Sequence, residues 1–568
     1  MIGLAAAGAG LAAASGAVAD PAGSPSAVAI EGEGRDRYAA ALEDIRAYAA
    51  RHLGVYGLPG LTLAVVAPGG VAGFMRFGYS NPEARTPVGP GHLFQIGSIS
   101  KSFTAICIFQ LIEAGKLRLD SDARELLPGA PWPDGPTTIQ HLLNHSSGLP
   151  DDAPLFPRGG DERLWRGFAP GARWSYSNLG FLILGEILER LDGEPLAEVL
   201  QRRVLRPLSM TATRGAILTG DRALYADGHD PFYADRGFPR NGPLGPGPWT
   251  DMTAGSGCVA STAADMARYC RWLIAAGHGE GAPLLSDAAA RRFTTATIEA
   301  PGWGIAGARY ANGLAVVDVG GRPLLHHTGG MLAFNSSIHA DPQAGVAAFA
   351  STNLGLAPYR PRDITAYACE RLRVVVEGGL PPMPPAAPPK PPELGDYLGR
   401  YEARDGRRLA ISAAPDGRAV VQFGDAASRF ELAAPDVLIA ASPQSTPEPL
   451  VFRRTGKAVA RAWHAGSEYV RLQDERRVAG FSPATSAALM ALTGHYVSDD
   501  PWAGGFRVTA QGEALFLDDI APLAALPGGI FRIGDSDWSP ERLRFEALLD
   551  GRPQRAVRSG VDYLRRSA

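Results

Sequence analysis

Residues 380–392, LPPMPPAAPPKPP, hold eight prolines in thirteen positions, and no other segment limits the possible folds so strongly. Proline has a fixed φ and no amide proton, so such a run enters neither a helix nor the middle of a sheet. It reads as a stiff polyproline II linker over 379–393, dividing the 568-residue chain into an N-terminal unit, 35–378, and a C-terminal part from 394 onward. Each part is long enough to bury its own core.

The C-terminal part repeats itself. Tyr397-Leu398-Gly399-Arg400-Tyr401 resembles Leu492-Thr493-Gly494-His495-Tyr496, Phe423 matches Phe516, Phe452 matches Phe545, and Tyr469-Val470-Arg471 matches Tyr563-Leu564-Arg565. The near-constant offset predicts two copies, 394–480 and 481–568, each of short strands and turns forming a small antiparallel β-barrel. One β-sandwich spanning both copies is the alternative.

In the N-terminal unit, residues 35–53 have the helical spacing of Tyr38, Leu42, Ile45 and Tyr48. GLTLAVVA and VAGFMRFGYS read as a hairpin around Pro68-Gly69-Gly70. Residues 98–115 predict a buried helix ending at Gly115. Helices and loops follow to about 300, then the strand-like runs GLAVVDV, LLHHTG, SSIHA and GVAAFAST, and a helix near 361–375. Strands, then helices, then strands predict an α+β unit whose sheet draws on both chain ends.

The formal net charge of −3 gives no reason to expect nucleic acid or an anionic membrane as partner. Cys107, Cys258, Cys270 and Cys369 lack C-x-x-C or metal-like spacing and read as buried thiols. Met1 to Val18 is Ala/Gly-rich and apolar, and Ala17-Val18-Ala19 before Asp20 fits a signal-peptidase site, although a basic start is missing. The expectation is a signal peptide and disordered start over 1–34, a periplasmic or secreted protein, and no membrane span.

The candidate chemistry lies in three short motifs. Ser98-Ile99-Ser100-Lys101 opens the apolar helix after Gly97. Residues three apart share a helix face, so the Lys101 amine can reach the Ser98 hydroxyl and take its proton if burial or neighbouring charge lowers its pKa. The chain has only four lysines (Lys101, Lys116, Lys390, Lys457) among its 55 basic residues, and arginine could not lose that proton. Tyr176-Ser177-Asn178 precedes a second apolar helix; a tyrosine that moves a proton and an asparagine that binds substrate and Lys101 suit this chemistry, while a buried tyrosine beside an Asn cap is the plainer reading. His327-Thr328-Gly329-Gly330 lies on a predicted strand, where the glycines permit close backbone approach. His326 points to the opposite face, which argues against a two-histidine metal site.

In this order, S-x-x-K, Y-x-N and H-T-G resemble the serine β-lactamase and penicillin-binding-protein superfamily, especially its class C branch (peptidase family S12). The flanking segments Gln95–Ala105, His141–Leu149 and Gly257–Met266 agree, and the resemblance covers roughly residues 35–375. It implies a β-lactamase-like fold, an antiparallel sheet flanked by helices plus a helical subdomain. It also implies an acyl-enzyme on Ser98, with Lys101 and Tyr176 moving the proton, Asn178 holding the substrate amide, and backbone N–H groups of Ser98 and Gly330 forming the oxyanion hole. No metal or organic cofactor is implied. His327 stands where the family usually carries lysine, so penicillin hydrolysis is expected to be weak or absent.

A catalytic unit followed by two barrels looks like the bacterial D-aminopeptidases, in which a loop of the last barrel reaches the active site. The matching segment here, Gly534 to Pro540, is shorter; Asp535 and Asp537 are its candidates for amine recognition, or are exposed turn acids. The expected activity is hydrolysis of peptide or amide bonds in a small molecule or short peptide. An esterase on the same residues, or a penicillin-recognising sensor that acylates and stalls, are the alternatives.

Overall fold

The computed structural model of the protein describes residues 25–157, 163–233, 236–355, 359–386, 394–442 and 445–566. Its first unit is organised around an antiparallel sheet with the spatial order Ser26–Glu31, Val71–Asn81, Gly60–Ala67, Val346–Thr352, Phe334–Asp341, Pro323–Met331, Ala315–Asp318, Arg309–Tyr310 and Ile298–Glu299. The two chain ends meet where Gly60–Ala67 pairs with Val346–Thr352, as the order of predicted elements requires.

The strand period of two divides the core. Leu61, Leu63 and Val65 face a layer with Leu42 and Ile45 of the helix Ala39–Tyr56 and Ile364, Tyr367 and Leu372 of the helix Arg362–Glu377. Ala64 and Val66 face the other layer, with Phe103 and Ile106 of Ser100–Glu113, Phe181 and Leu184 of Asn178–Asp192, and Met266 and Tyr269 of Ala263–Gly277. Helices cover both faces, which is why GLTLAVVA is an almost unbroken apolar run rather than an alternating one.

Two boundaries move. Ser26–Glu31 pairs with Val71–Asn81, from Ser26 opposite Phe77 to Glu31 opposite Ala72, so a leader and disordered start reaching residue 34 is too long. The side chains of this strand are mostly exposed, and only Ile30 packs against the core; backbone pairing does most of the holding, which leaves little hydrophobic pattern to read. The proposed cleavage site lies outside the described residues. The helix expected over 98–115 begins at Ser100, because Gly97–Ile99 form a 3-10 turn ahead of it.

Leu380 and Met383 of the proline-rich run are almost fully exposed; residues 387–393 lie outside the described residues. Beyond it stand two barrels. The first closes when Gly399–Ala403 pairs with Ser467–Gln473, the second when Gly494–Val497 pairs with Val561–Arg565. Two separate closures rule out the single sandwich. The repeat landmarks have equivalent jobs. The Tyr401 and Tyr496 hydroxyls donate to the carbonyls of Tyr397 and Leu492, four residues back in each copy. Arg471 and Arg565 tie down the same entry turns through Leu398 O and Thr493 O.

Cys107, Cys258, Cys270 and Cys369 are all buried and unbridged. Among the described residues no helix is long and apolar enough to cross a membrane.

Candidate active site

Ser98 is placed by backbone contact around a glycine. Gly97 has a φ of 52°, in the left-handed region, and its Cα approaches Gly330 so closely that a Cβ would stand 2.7 Å from the Gly330 nitrogen. A Cβ at Gly329 would overlap the Ile96 carbonyl. The Ser336 hydroxyl donates to that carbonyl at 2.8 Å, joining the turn to the neighbouring strand. Behind it, Ile96 N–H donates to Val259 O and the Ser100 hydroxyl accepts from Val259 N–H. The Gly257–Met266 segment therefore braces the turn that carries Ser98.

Lys101 lies one helical turn on and is wholly buried. Its amine donates to Ser98 Oγ at 3.0 Å, Asn178 Oδ1 at 2.5 Å and the Ser256 carbonyl at 2.8 Å. It also lies 4.9 Å from the centre of the Tyr176 ring. Burial lowers the Lys101 pKa to about 7, while Asp151 and Asp152 pull the other way. Burial has the opposite effect on Tyr176: its phenol is hydrogen-bonded to Ser98 yet held well above its usual range. Burial thus favours the unprotonated amine at Lys101 and the protonated phenol at Tyr176. Of the three lysines among the described residues only Lys101 is buried.

The Tyr176-Ser177-Asn178 turn is held from below. Ser177, not Asn178, caps the helix Asn178–Asp192, its hydroxyl accepting from Gly180 N–H. That frees both ends of the Asn178 amide: Oδ1 accepts from Lys101, and Nδ2 donates to Asp152 at 2.7 Å. The Asn178 backbone N–H donates to Asp151 Oδ1.

His327 is fully buried, and both its ring nitrogens are engaged. The Thr328 carbonyl can only accept, so His327 Nδ1 carries the proton. Burial and the nearby Lys101 keep the ring neutral, so Nε2 accepts from the Tyr310 hydroxyl at 2.9 Å. Tyr310 in turn accepts from His145 Nε2–H at 3.2 Å, and His145 Nδ1 accepts from Ser177 N–H at 3.1 Å. This buried wire joins the third motif to the second. It sets His327 into the interior, and Thr328 and Gly330, both partly exposed, are the motif members that face outward. A cation does stand nearby: the Arg360 guanidinium packs against Gly330. His326 occupies the other sheet face, stacked on His339 at 3.9 Å. Among the described residues no group of three or more His, Cys, Asp or Glu is arranged to hold a metal ion.

Asp535 and Asp537 are exposed. Their loop does reach the catalytic unit, but through its later residues: Trp538 packs edge-on against Phe168, Pro540 O accepts from Trp165 Nε1–H at 2.6 Å, and Glu541 Oε1 accepts from Asp151 N–H at 2.8 Å. The sequence reading missed Glu541, Tyr310 and Arg360 and gave His145 no role. Only His145, inside the segment His141–Leu149, had a sequence signal.

These features, a buried lysine against a serine and a Tyr-x-Asn turn facing an H-T-G strand, define a penicillin-binding-protein-like site. The beta-lactamase family profile matches residues 45–371, more than half of the chain, and the protein belongs to that family. Penicillin-binding protein 4 of Amycolatopsis lactamdurans is 30% identical over 380 residues, covering 61% of this chain and 94% of that protein. A D-aminopeptidase of Gluconobacter oxydans is 32% identical over 188 residues, 30% of this chain and 34% of that enzyme. The octameric penicillin-binding protein homologue of Pyrococcus abyssi matches 76% of this chain and 100% of that one, with a TM-score of 0.54 at 23% identity, a likeness of fold alone.

Proposed function

We propose that the protein is a serine amidase or peptidase acting through an acyl-enzyme on Ser98, with D-aminopeptidase-like substrates. The observation that carries this reading is the buried Lys101 amine, with its pKa lowered to about 7 and 3.0 Å from Ser98 Oγ. It supplies a base poised near neutral pH. Ser98 Oγ attacks the carbonyl carbon as its proton passes to Lys101. The oxyanion forms between the backbone N–H groups of Ser98 and Gly330. When the C–N bond breaks, the leaving amine needs a proton, and the Tyr176 phenol, still protonated beside Ser98, lies on the path from Lys101. Water then attacks the ester carbonyl as its proton passes to Lys101, and Lys101 returns that proton to Ser98 Oγ as the C–O bond breaks, which releases the free acid and restores both groups. Asn178 and Thr328 orient the substrate. The engaged, neutral His327 offers no cation to a penicillin carboxylate, which leaves that role to Arg360 beside Gly330.

Two measurements test this. D-Ala-p-nitroanilide is expected to be turned over; turnover of p-nitrophenyl acetate without the anilide would establish the esterase reading, and a penicillin adduct that never turns over would establish the sensor. Because the active form needs neutral Lys101, kcat/KM should fall on the acid side with a midpoint at about 7. A midpoint near 4 or 10 would assign the base to another group.

A further inference from the structure

The last barrel is linked to the catalytic lysine by a continuous chain of hydrogen bonds. The Ser559 hydroxyl donates to Glu541 Oε2 at 2.6 Å, and Glu541 Oε1 accepts from Asp151 N–H at 2.8 Å. Asp151 Oδ1 accepts from Asn178 N–H at 2.9 Å, and Asp152 Oδ1 accepts from Asn178 Nδ2–H at 2.7 Å. Asn178 Oδ1 then accepts from the Lys101 amine at 2.5 Å. Glu541 and Asp151 are 390 positions apart in sequence. The surrounding interface keeps this contact in register: Trp165 bonds Pro540 O, the Arg542 guanidinium lies over Trp165, and the Gly167 backbone packs so tightly on Trp538 that a Cβ there would overlap it.

We infer that Glu541 is a positioning residue for the catalytic centre: through the Asp151–Asp152 turn it holds Asn178, and through Asn178 the Lys101 amine, in line with Ser98. The inference rests on the acyl-enzyme reading above. Glu541 acts by charge as well as by geometry. Asp151 faces Asp152, Glu541 and Lys101; burial and both neighbouring carboxylates push its carboxyl well above the usual range. Lys101 faces Asp151, Asp152, Tyr176, His145 and His327, while Arg360 faces Tyr176 and Tyr563 of the barrel faces Asp152. A Glu541 anion therefore disfavours a second anion at Asp151. An ionised Asp151 would favour protonated Lys101, the inactive form.

The test is the rate of fluorophosphonate labelling of full-length protein against pH. Glu541→Gln keeps an acceptor for Asp151 N–H and removes the charge. Its acid-side midpoint should move to higher pH, with labelling about threefold slower at pH 7 and recovered at pH 9. Glu541→Ala removes the charge and also leaves Asp151 N–H without its acceptor, so it should show the same midpoint shift and a further loss of about tenfold that persists at pH 9. Trp165→Phe removes an interdomain hydrogen bond without altering the charge near Asp151; its midpoint should stay at the wild-type value. An unmoved midpoint in Glu541→Gln, or an equal shift in Trp165→Phe, overturns the positioning role while wild-type labelling upholds the hydrolase. Absence of labelling in the wild type overturns both.

Discussion

In a Lys101→Arg variant, labelling of Ser98 by a fluorophosphonate at pH 7 is expected to slow by about three orders of magnitude or more. The charge is conserved and the chemistry is not. Arginine stays protonated at any pH the fold survives, so it can donate to Ser98 Oγ but cannot take its proton. The site is also closed to the larger group. Lys101 is fully buried, and its amine lies within hydrogen-bond distance of Ser98 Oγ, Asn178 Oδ1 and the Ser256 carbonyl. A planar guanidinium cannot meet those three acceptors from the same position. Thermal unfolding followed beside labelling separates lost chemistry from lost fold. A folded variant labelled within tenfold of the wild-type rate would show that Lys101 is not the base.

Ser98→Ala is expected to have the other large effect: no covalent label at all, and amide hydrolysis reduced by about 10⁴-fold or more. The fold should persist. Ser98 is only partly buried, and without its hydroxyl Lys101 keeps Asn178 and Ser256 as partners. Hydrolysis left at the wild-type rate would mean that the nucleophile lies elsewhere. The pair is more informative than either alone, since groups acting as a unit are not additive: a Ser98→Ala, Lys101→Arg double variant should be little worse than Ser98→Ala.

Much of the N-terminal unit was legible in local sequence because the signals are local. Ser98 and Lys101 are one helical turn apart, Tyr176 and Asn178 share a turn, and Thr328 to Gly330 share a strand. A motif of that kind keeps its internal geometry wherever the fold carries it. The apolar runs of the central strands and the internal repeat of Tyr401 and Tyr496 were readable for a related reason: burial imposes a residue type at a fixed period. The exposed strand Ser26–Glu31 left no such mark. Nor could sequence tell which residue caps the helix after Tyr176, because serine and asparagine are both good caps; the hydrogen bond of Ser177 to Gly180 decides it.

By itself, then, the sequence determined the α+β unit, the two repeated barrels and the three motifs. Tertiary structure decided how those motifs behave. Burial and the carboxylates at 151 and 152 set which of Lys101 and Tyr176 can lose its proton. Tyr310 and His145 set His327 back as a neutral member of a buried wire. The last barrel comes to the site through Glu541 rather than through Asp535 or Asp537. The physical reason is common to all three. Proton affinity and hydrogen-bond direction depend on what lies within a few ångströms, and these neighbours come from chain segments that no local pattern connects.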